Sequence, residues 1–176
     1  MFGSDFPRGH AMSEPPQWRG SLGLGPTVQL GSLPRTAVGA SAFGALERAA
    51  WSIALEVELD LPATTREQGV ELRTSSFALK VMPCGHRGVL FACQLTALRW
   101  LTASGTESNL GGSSAALGLG ARVGGHLALN GSFSVVAYGD LLFTALPVRL
   151  VSEQKELWKT PPVNGGLGIA AVVHFR

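Results

Sequence analysis

Charge is what this chain has least of. Of its 176 residues, 15% are Asp, Glu, Lys or Arg, against roughly a quarter in soluble domains. Fourteen basic and twelve acidic side chains leave a net charge of +2. No basic cluster occurs, so nothing here predicts a nucleic-acid surface. Long apolar runs are missing as well. Mean hydropathy is +0.23, yet no stretch approaches the ~18 consecutive apolar residues of a spanning helix. Two cysteines are too few for a disulfide scaffold. The 23 glycines follow no collagen-like period. Residues 1–17 are polar and carry prolines, with no continuous apolar core of the kind a signal peptide needs. They are expected to be irregular, with the export signal lost to truncation. The folded domain is expected to cover residues 18–176.

What the chain has instead is alternation. Leu117, Leu119, Ala121, Val123, Gly125, Leu127 and Leu129 share one parity, and Gly118, Gly120, Arg122, Gly124, His126 and Ala128 the other. Successive side chains of a strand point to opposite faces, so these are two environments. One is apolar; the other is small, with two ionisable groups, and offers water almost nothing. The glycines recur every second residue with no helix following, so they are not a phosphate loop.

The same pattern recurs along the chain. Trp18, Leu22, Leu24, Val28 and Leu30 oppose Arg19, Ser21, Gly23, Gly25, Thr27 and Gln29. A second strand, over residues 36–46, carries Val38, Ala40, Ala42 and Leu46. In the third, Trp51, Ile53, Leu55, Val57, Leu59 and Leu61 oppose Ser52, Ala54, Glu56, Glu58 and Asp60, before a polar loop over residues 62–69. The fourth starts with Val70 and Leu72 against Glu71 and Arg73, then turns Phe77, Leu79 and Val81 to the apolar face, which predicts a bulge at residues 74–76. A turn is expected at residues 83–88. The fifth, over residues 89–102, sets Gln94 and Thr96 against Phe91, Leu95 and Leu101, with weak contrast. A loop over residues 104–113 precedes the sixth. Asn130-Gly131 is a hairpin signal. The seventh sets Phe133, Val135, Leu141 and Phe143 against Ser134, Tyr138, Asp140 and Thr144. After a loop over residues 152–165, Leu167, Ile169, Ala171, Val173 and Phe175 oppose Gly168, Ala170, Val172 and His174. A 13-residue strand is ~43 Å long and, tilted by ~40°, crosses ~33 Å, which matches a hydrocarbon core of ~30 Å.

These segments predict an all-β fold, an eight-stranded antiparallel up-and-down barrel that crosses a membrane. The alternation, the uneven connections and the final strand together resemble the small outer-membrane β-barrels of Gram-negative bacteria, of the OmpA/OmpX-like type. The resemblance covers residues 18–176 and rests on pattern. It implies an outer-membrane location, both termini in the periplasm, and contact with outer-membrane lipids and lipopolysaccharide. It also implies insertion by the barrel assembly machinery, reading Leu167, Ile169, Ala171, Val173 and Phe175 as a C-terminal signal, although Arg176 follows the aromatic residue. A monomer is expected, with no nucleic-acid partner.

Arg19, Glu56, Glu58, Asp60, Glu71, Arg73, Arg122, His126 and Asp140 have interior parity, as does Tyr138. An eight-stranded barrel is filled by its own side chains, and buried charges persist when paired. A structural network, with Arg122 on Glu56 or Glu58, is therefore expected rather than an ion path. Cys84 and Cys93 flank the fourth connection, on the periplasmic side if the resemblance holds, where a disulfide is allowed. A tight hairpin starting at Cys84 would hold them out of register and an open loop would let them meet; two buried thiols are the alternative. A metal site of Cys84, His86 and Cys93 lacks a nearby fourth ligand. His126 with Ser134 or Asp140 is the one catalytic pairing the pattern offers, but no nucleophile motif surrounds it. No enzymatic activity and no cofactor are expected. In the last loop, Lys155, Trp158 and Lys159 are expected to be solvated, with contact to acidic headgroups as the alternative. The rival architecture is a soluble lipocalin-like barrel with the apolar face inward around a ligand; a lipid-modifying barrel enzyme is the third.

Overall fold

The computed structural model describes residues 18–67, 70–105, 111–147, 149–152 and 155–175. The expectations for residues 1–17, for the tip of the loop over 104–113, for the Lys155 side chain and for Arg176 lie outside the described residues. Among the described residues ten strands run in chain order: β1 (Arg19–Leu30), β2 (Ala37–Arg48), β3 (Trp51–Glu67), β4 (Val70–Arg87), β5 (Leu90–Gly105), β6 (Gly111–Ala128), β7 (Phe133–Leu146), β8 (Arg149–Ser152), β9 (Lys155–Lys159) and β10 (Val163–Phe175). Eight close into an antiparallel barrel ordered β1-β10-β7-β6-β5-β4-β3-β2, and β8 pairs only with β9. Every barrel neighbour is therefore a chain neighbour, except that β10 returns past the β8–β9 hairpin to pair with both β7 and β1. Closure leaves the barrel no open edge.

The alternation decides which face is which. Leu24, Leu55, Leu119, Leu141 and Leu167 are each about half exposed or more, while Glu56, Glu58 and Lys80 are 1% exposed or less. The barrel is apolar outside and charged inside, the reverse of a lipocalin-like arrangement. Trp18 and Trp51 stack edge to face at 5.3 Å beside the β2–β3 turn, with the Arg48 guanidinium 5.4 Å from the Trp18 ring. Phe77 and Trp100 pack at 5.4 Å on the outer face of β4 and β5. Aromatic side chains at the edges of an apolar band match the girdles of membrane barrels.

Several expectations need correction. The strands run further than alternation alone marks: β3 continues through the polar residues 62–67 and β4 through residues 83–87. The bulge lies in β3, not β4. The β3–β4 register shifts between Asp60 and Ala63, where Pro62 removes a donor from the ladder. β4 keeps one parity from Thr74 to His86, so Glu71 and Arg73 are exposed rather than interior. β5 is read the wrong way round: Leu95 and Leu101 point inward and Gln94 outward. The β4–β5 turn is Gly88–Val89, with Gly88 at φ +63°, a left-handed conformation open to glycine at no steric cost. Asn130-Gly131 does turn the chain, but within a four-residue bend over 129–132. There the Asn130 side chain accepts from the Ser132 and Phe133 amides, both at 2.9 Å. The loop over 152–165 contains β9 and the start of β10, and Trp158 packs inward against Leu33, Ala37, Leu101 and Ala116 instead of reaching outward. Lys159 is exposed.

Candidate functional site: a charged plug in the lumen

The lumen is filled in layers. At the end carrying the short turns, the start of β1 and the end of β10 lies a basin of serine, histidine and glutamate side chains set among apolar walls. Next comes an apolar layer of Ala54, Met82, Cys93, Leu95, Ala97 and Leu142. Beyond it is a charged layer, and at the loop end the apolar cap under Trp158.

β3 supplies Glu56, Glu58 and Asp60 at successive inward positions, and β7 supplies Asp140. The cations come from three neighbouring strands: Lys80 on β4, Arg99 on β5 and Arg122 on β6. Lys80 Nζ donates to Glu58 Oε2 at 2.7 Å and to Asp140 Oδ2 at 3.0 Å, and stands 3.1 Å from Glu56 Oε1. Arg122 grips Glu56 with both terminal nitrogens, at 2.6 and 2.8 Å. It also grips Asp140 through Nε at 2.6 Å and Nη2 at 2.8 Å. Arg99 donates to Asp60 Oδ2 at 2.7 Å, Ser76 Oγ at 2.9 Å and Glu58 Oε1 at 2.8 Å. Gln29 Nε2 donates to Glu58 Oε2 at 2.7 Å. Paired forks of this kind are the strong class of charge-assisted hydrogen bond. The Tyr138 hydroxyl meets Ser41 Oγ at 3.0 Å, and its ring lies 3.7 Å under the Arg122 guanidinium carbon. Gly168 makes that ring position available: a Cβ there would stand 2.3 Å from Tyr138 Cζ.

Of the expected interior group, Glu56, Glu58, Asp60, Arg122, Tyr138 and Asp140 come together. Arg122 bridges Glu56 and Asp140, not Glu58. Arg19 does not join. It sits at the first position of β1, at the rim, and is exposed. His126 lies at the basin, away from the charged layer. Lys80 and Arg99 are the residues missed. Lys80 shows itself by parity, opposite Leu79 and Val81. Arg99 shares parity with Leu95 and Leu101, and an apolar-out rule sends it the wrong way.

The basin at the turn end encloses a cavity of about 130 Å3, walled by Phe43, Phe91, Val136 and Val172 among others. Ser52 Oγ and His86 Nε2 share a hydrogen bond of 2.7 Å, and Ser134 Oγ and His174 Nε2 one of 2.8 Å. Ser21 Oγ donates to Glu47 Oε1 at 3.0 Å, and His174 Nδ1 stands 4.0 Å from that oxygen. The His126 pairing set aside from the sequence does not form: Ser134 pairs with His174, and Asp140 is held by Arg122 and Lys80. Cys84 and Cys93 occupy directly opposed positions of β4 and β5 and form a disulfide, Cα to Cα 4.0 Å. The tight hairpin does not hold them apart. Its turn is at Gly88–Val89, and that register is what sets them face to face. With both sulfurs in the bridge, a thiolate metal site with His86 does not form.

No family model matches the chain, and no curated protein matches it. Solved structures do. The fold is that of small outer-membrane barrels. Ail, the attachment invasion locus protein of Yersinia pestis, solved in complex with the heparin analogue sucrose octasulfate, is 11% identical with a TM-score of 0.60, over 90% of this chain and 99% of Ail. A major outer membrane protein from Thermus thermophilus is 13% identical with a TM-score of 0.57, over 90% of this chain and 100% of that one. At such identities the likeness is one of fold: a closed eight-stranded antiparallel barrel.

Proposed function

We propose that the chain is an integral β-barrel of the bacterial outer membrane, with a closed lumen, acting structurally or through contacts made at its loop end. One observation carries this reading: among the described residues, three cations and four carboxylates are sealed inside while the outer face is apolar around the whole circumference. Exposing so large an apolar outer surface to water is costly, and the same charges facing outward into a lipid core would lack partners. The layers crossing the lumen support a plugged barrel rather than a channel. The turn end, with the Cys84–Cys93 disulfide, suits an oxidising periplasm. That leaves the loop end for lipopolysaccharide or external partners. The outward row Leu167, Ile169, Ala171, Val173 and Phe175 is the surface that barrel assembly machinery would read.

Refolding the chain in mild detergent tests this. Unboiled and boiled samples are compared by gel electrophoresis, and the folded barrel is added to a planar bilayer. A boiling-dependent mobility shift, no soluble fraction without detergent, and a membrane that stays electrically silent are expected. A cooperative fold that is soluble without detergent would overturn the membrane assignment. Stepwise conductance would overturn the closed lumen.

A further inference from the structure

The charged layer does not balance. Among the described residues it holds Glu56, Glu58, Asp60 and Asp140 against Lys80, Arg99 and Arg122, four negative charges to three positive. An uncompensated charge in a sealed interior is costly enough that a counter-charge is normally found beside it. The unmatched oxygen can be located. Asp60 Oδ2 is held by Arg99 and Ser76, but Asp60 Oδ1 is buried without a hydrogen-bond partner, and so are Thr27 Oγ1 and Gln29 Oε1.

Two of these orphans, Thr27 Oγ1 and Asp60 Oδ1, belong to residues on either side of Gly39. Thr27 pairs directly with Gly39, and Gly39 with Asp60, so the three stand side by side on β1, β2 and β3. All three face the lumen. Gly39 has no side chain, which leaves a saddle between Thr27 and Asp60 into which oxygens of β3 reach. A Cβ built on Gly39 would lie 2.9 Å from Asp60 Oδ1 and 2.3 Å from the Leu59 carbonyl oxygen. A carboxylate oxygen and a carbonyl oxygen therefore converge over this Cα, with an unpaired hydroxyl on the neighbouring strand. Gln29, two residues beyond Thr27, has its amide nitrogen fixed on Glu58, which leaves its oxygen as the free end.

We propose that this saddle binds one monovalent cation of sodium size, held by Asp60 Oδ1, Thr27 Oγ1 and the Leu59 carbonyl. Oxygen-only ligands suit a hard cation. The charge count selects a monovalent ion, because a divalent one would convert a deficit of one into an excess of one. Arg99 and Ser76 hold Asp60 by Oδ2 and so orient Oδ1 toward Gly39.

The test is thermal unfolding of the refolded full chain in detergent, in sodium chloride against choline chloride at equal ionic strength and fixed pH. The parent protein is expected to gain roughly 5 °C or more in sodium, with saturation, as for any ligand that binds only the folded state. Asp60→Asn removes the excess charge. It is expected to show no sodium response and to melt no lower than the parent does in choline. Thr27→Val keeps the shape, removes one ligand, and is expected to shift the response to higher sodium. If Asp60→Asn does not refold, Thr27→Val carries the comparison alone. Equal melting of the parent in sodium and choline overturns the proposal. So does a sodium response retained in full by the variants. A parent that ignores sodium but is stabilised by acid, with that effect lost in Asp60→Asn, would identify the fourth positive charge as a proton and overturn the bound cation.

Discussion

Lys80 is a single cation in the apolar run Phe77-Ala78-Leu79-Lys80-Val81-Met82, and three carboxylates close on it. Removing one member of such a group strands the rest. Lys80→Met is therefore expected to cost about 3–5 kcal/mol, read as a lower denaturant midpoint for the refolded barrel; an unchanged midpoint would mean the carboxylates do not depend on it. Neighbouring Leu55 and Glu56 probe the two faces separately. Leu55→Arg places a charge on the lipid side and is expected to cost about 2–4 kcal/mol near the membrane centre. Glu56→Leu leaves Arg122 and Lys80 each short of a carboxylate and is expected to cost a similar amount; were Glu56 solvated, its loss would stay within about 0.5 kcal/mol. The acidic half of the layer was legible from the sequence, because Glu56, Glu58 and Asp60 alternate with Ile53, Leu55, Val57 and Leu59. The partners were not, because a period of two places a side chain on a face but does not say which residue on another strand stands opposite.

At the scale of strands, parity holds where one face is uniformly apolar, as in β3, β7 and β10, and misleads where the lumen itself contains apolar layers. β5 contributes Leu95 to the layer above the basin and Leu101 to the cap under Trp158, so its inward face looks like an outward one. Strand ends escape the alternation for a different reason. Beyond the apolar band the ladder continues in polar sequence, and Pro62 resembles a loop while serving as a bulge. The β4–β5 hairpin offers a clean measurement. Its disulfide closes a separation of nine residues, and replacing both cysteines by serine is expected to lower stability by about 2–3 kcal/mol by chain entropy alone. Comparing unfolding of that variant with unfolding of the parent under oxidising and reducing conditions checks this; loss of the fold instead of a shifted midpoint would contradict it.

For the whole molecule, eight strands and their cyclic order follow from the repeated alternation, while the β8–β9 hairpin does not belong to the cylinder at all. Among the described residues it pairs only with itself, and Trp158 packs against the barrel. Replacing residues 150–158 by a short polar link is therefore expected to leave the heat-dependent gel shift intact; losing that shift would mean the hairpin helps close the barrel. The arrangement of the charged layer has a kinetic side as well. Acids on β3 find cations on β4, β5 and β6, and the acid on β7 shares two of them. Among the described residues the β6–β7 hairpin carries a balanced pair, Arg122 with Asp140, but the β3–β4 hairpin sets three carboxylates against Lys80 alone. Threading into lipid strand by strand would carry bare carboxylates through hydrocarbon. Entry as a collective event, with the sheet from β3 to β7 assembled before it crosses, would keep the β3 carboxylates paired throughout.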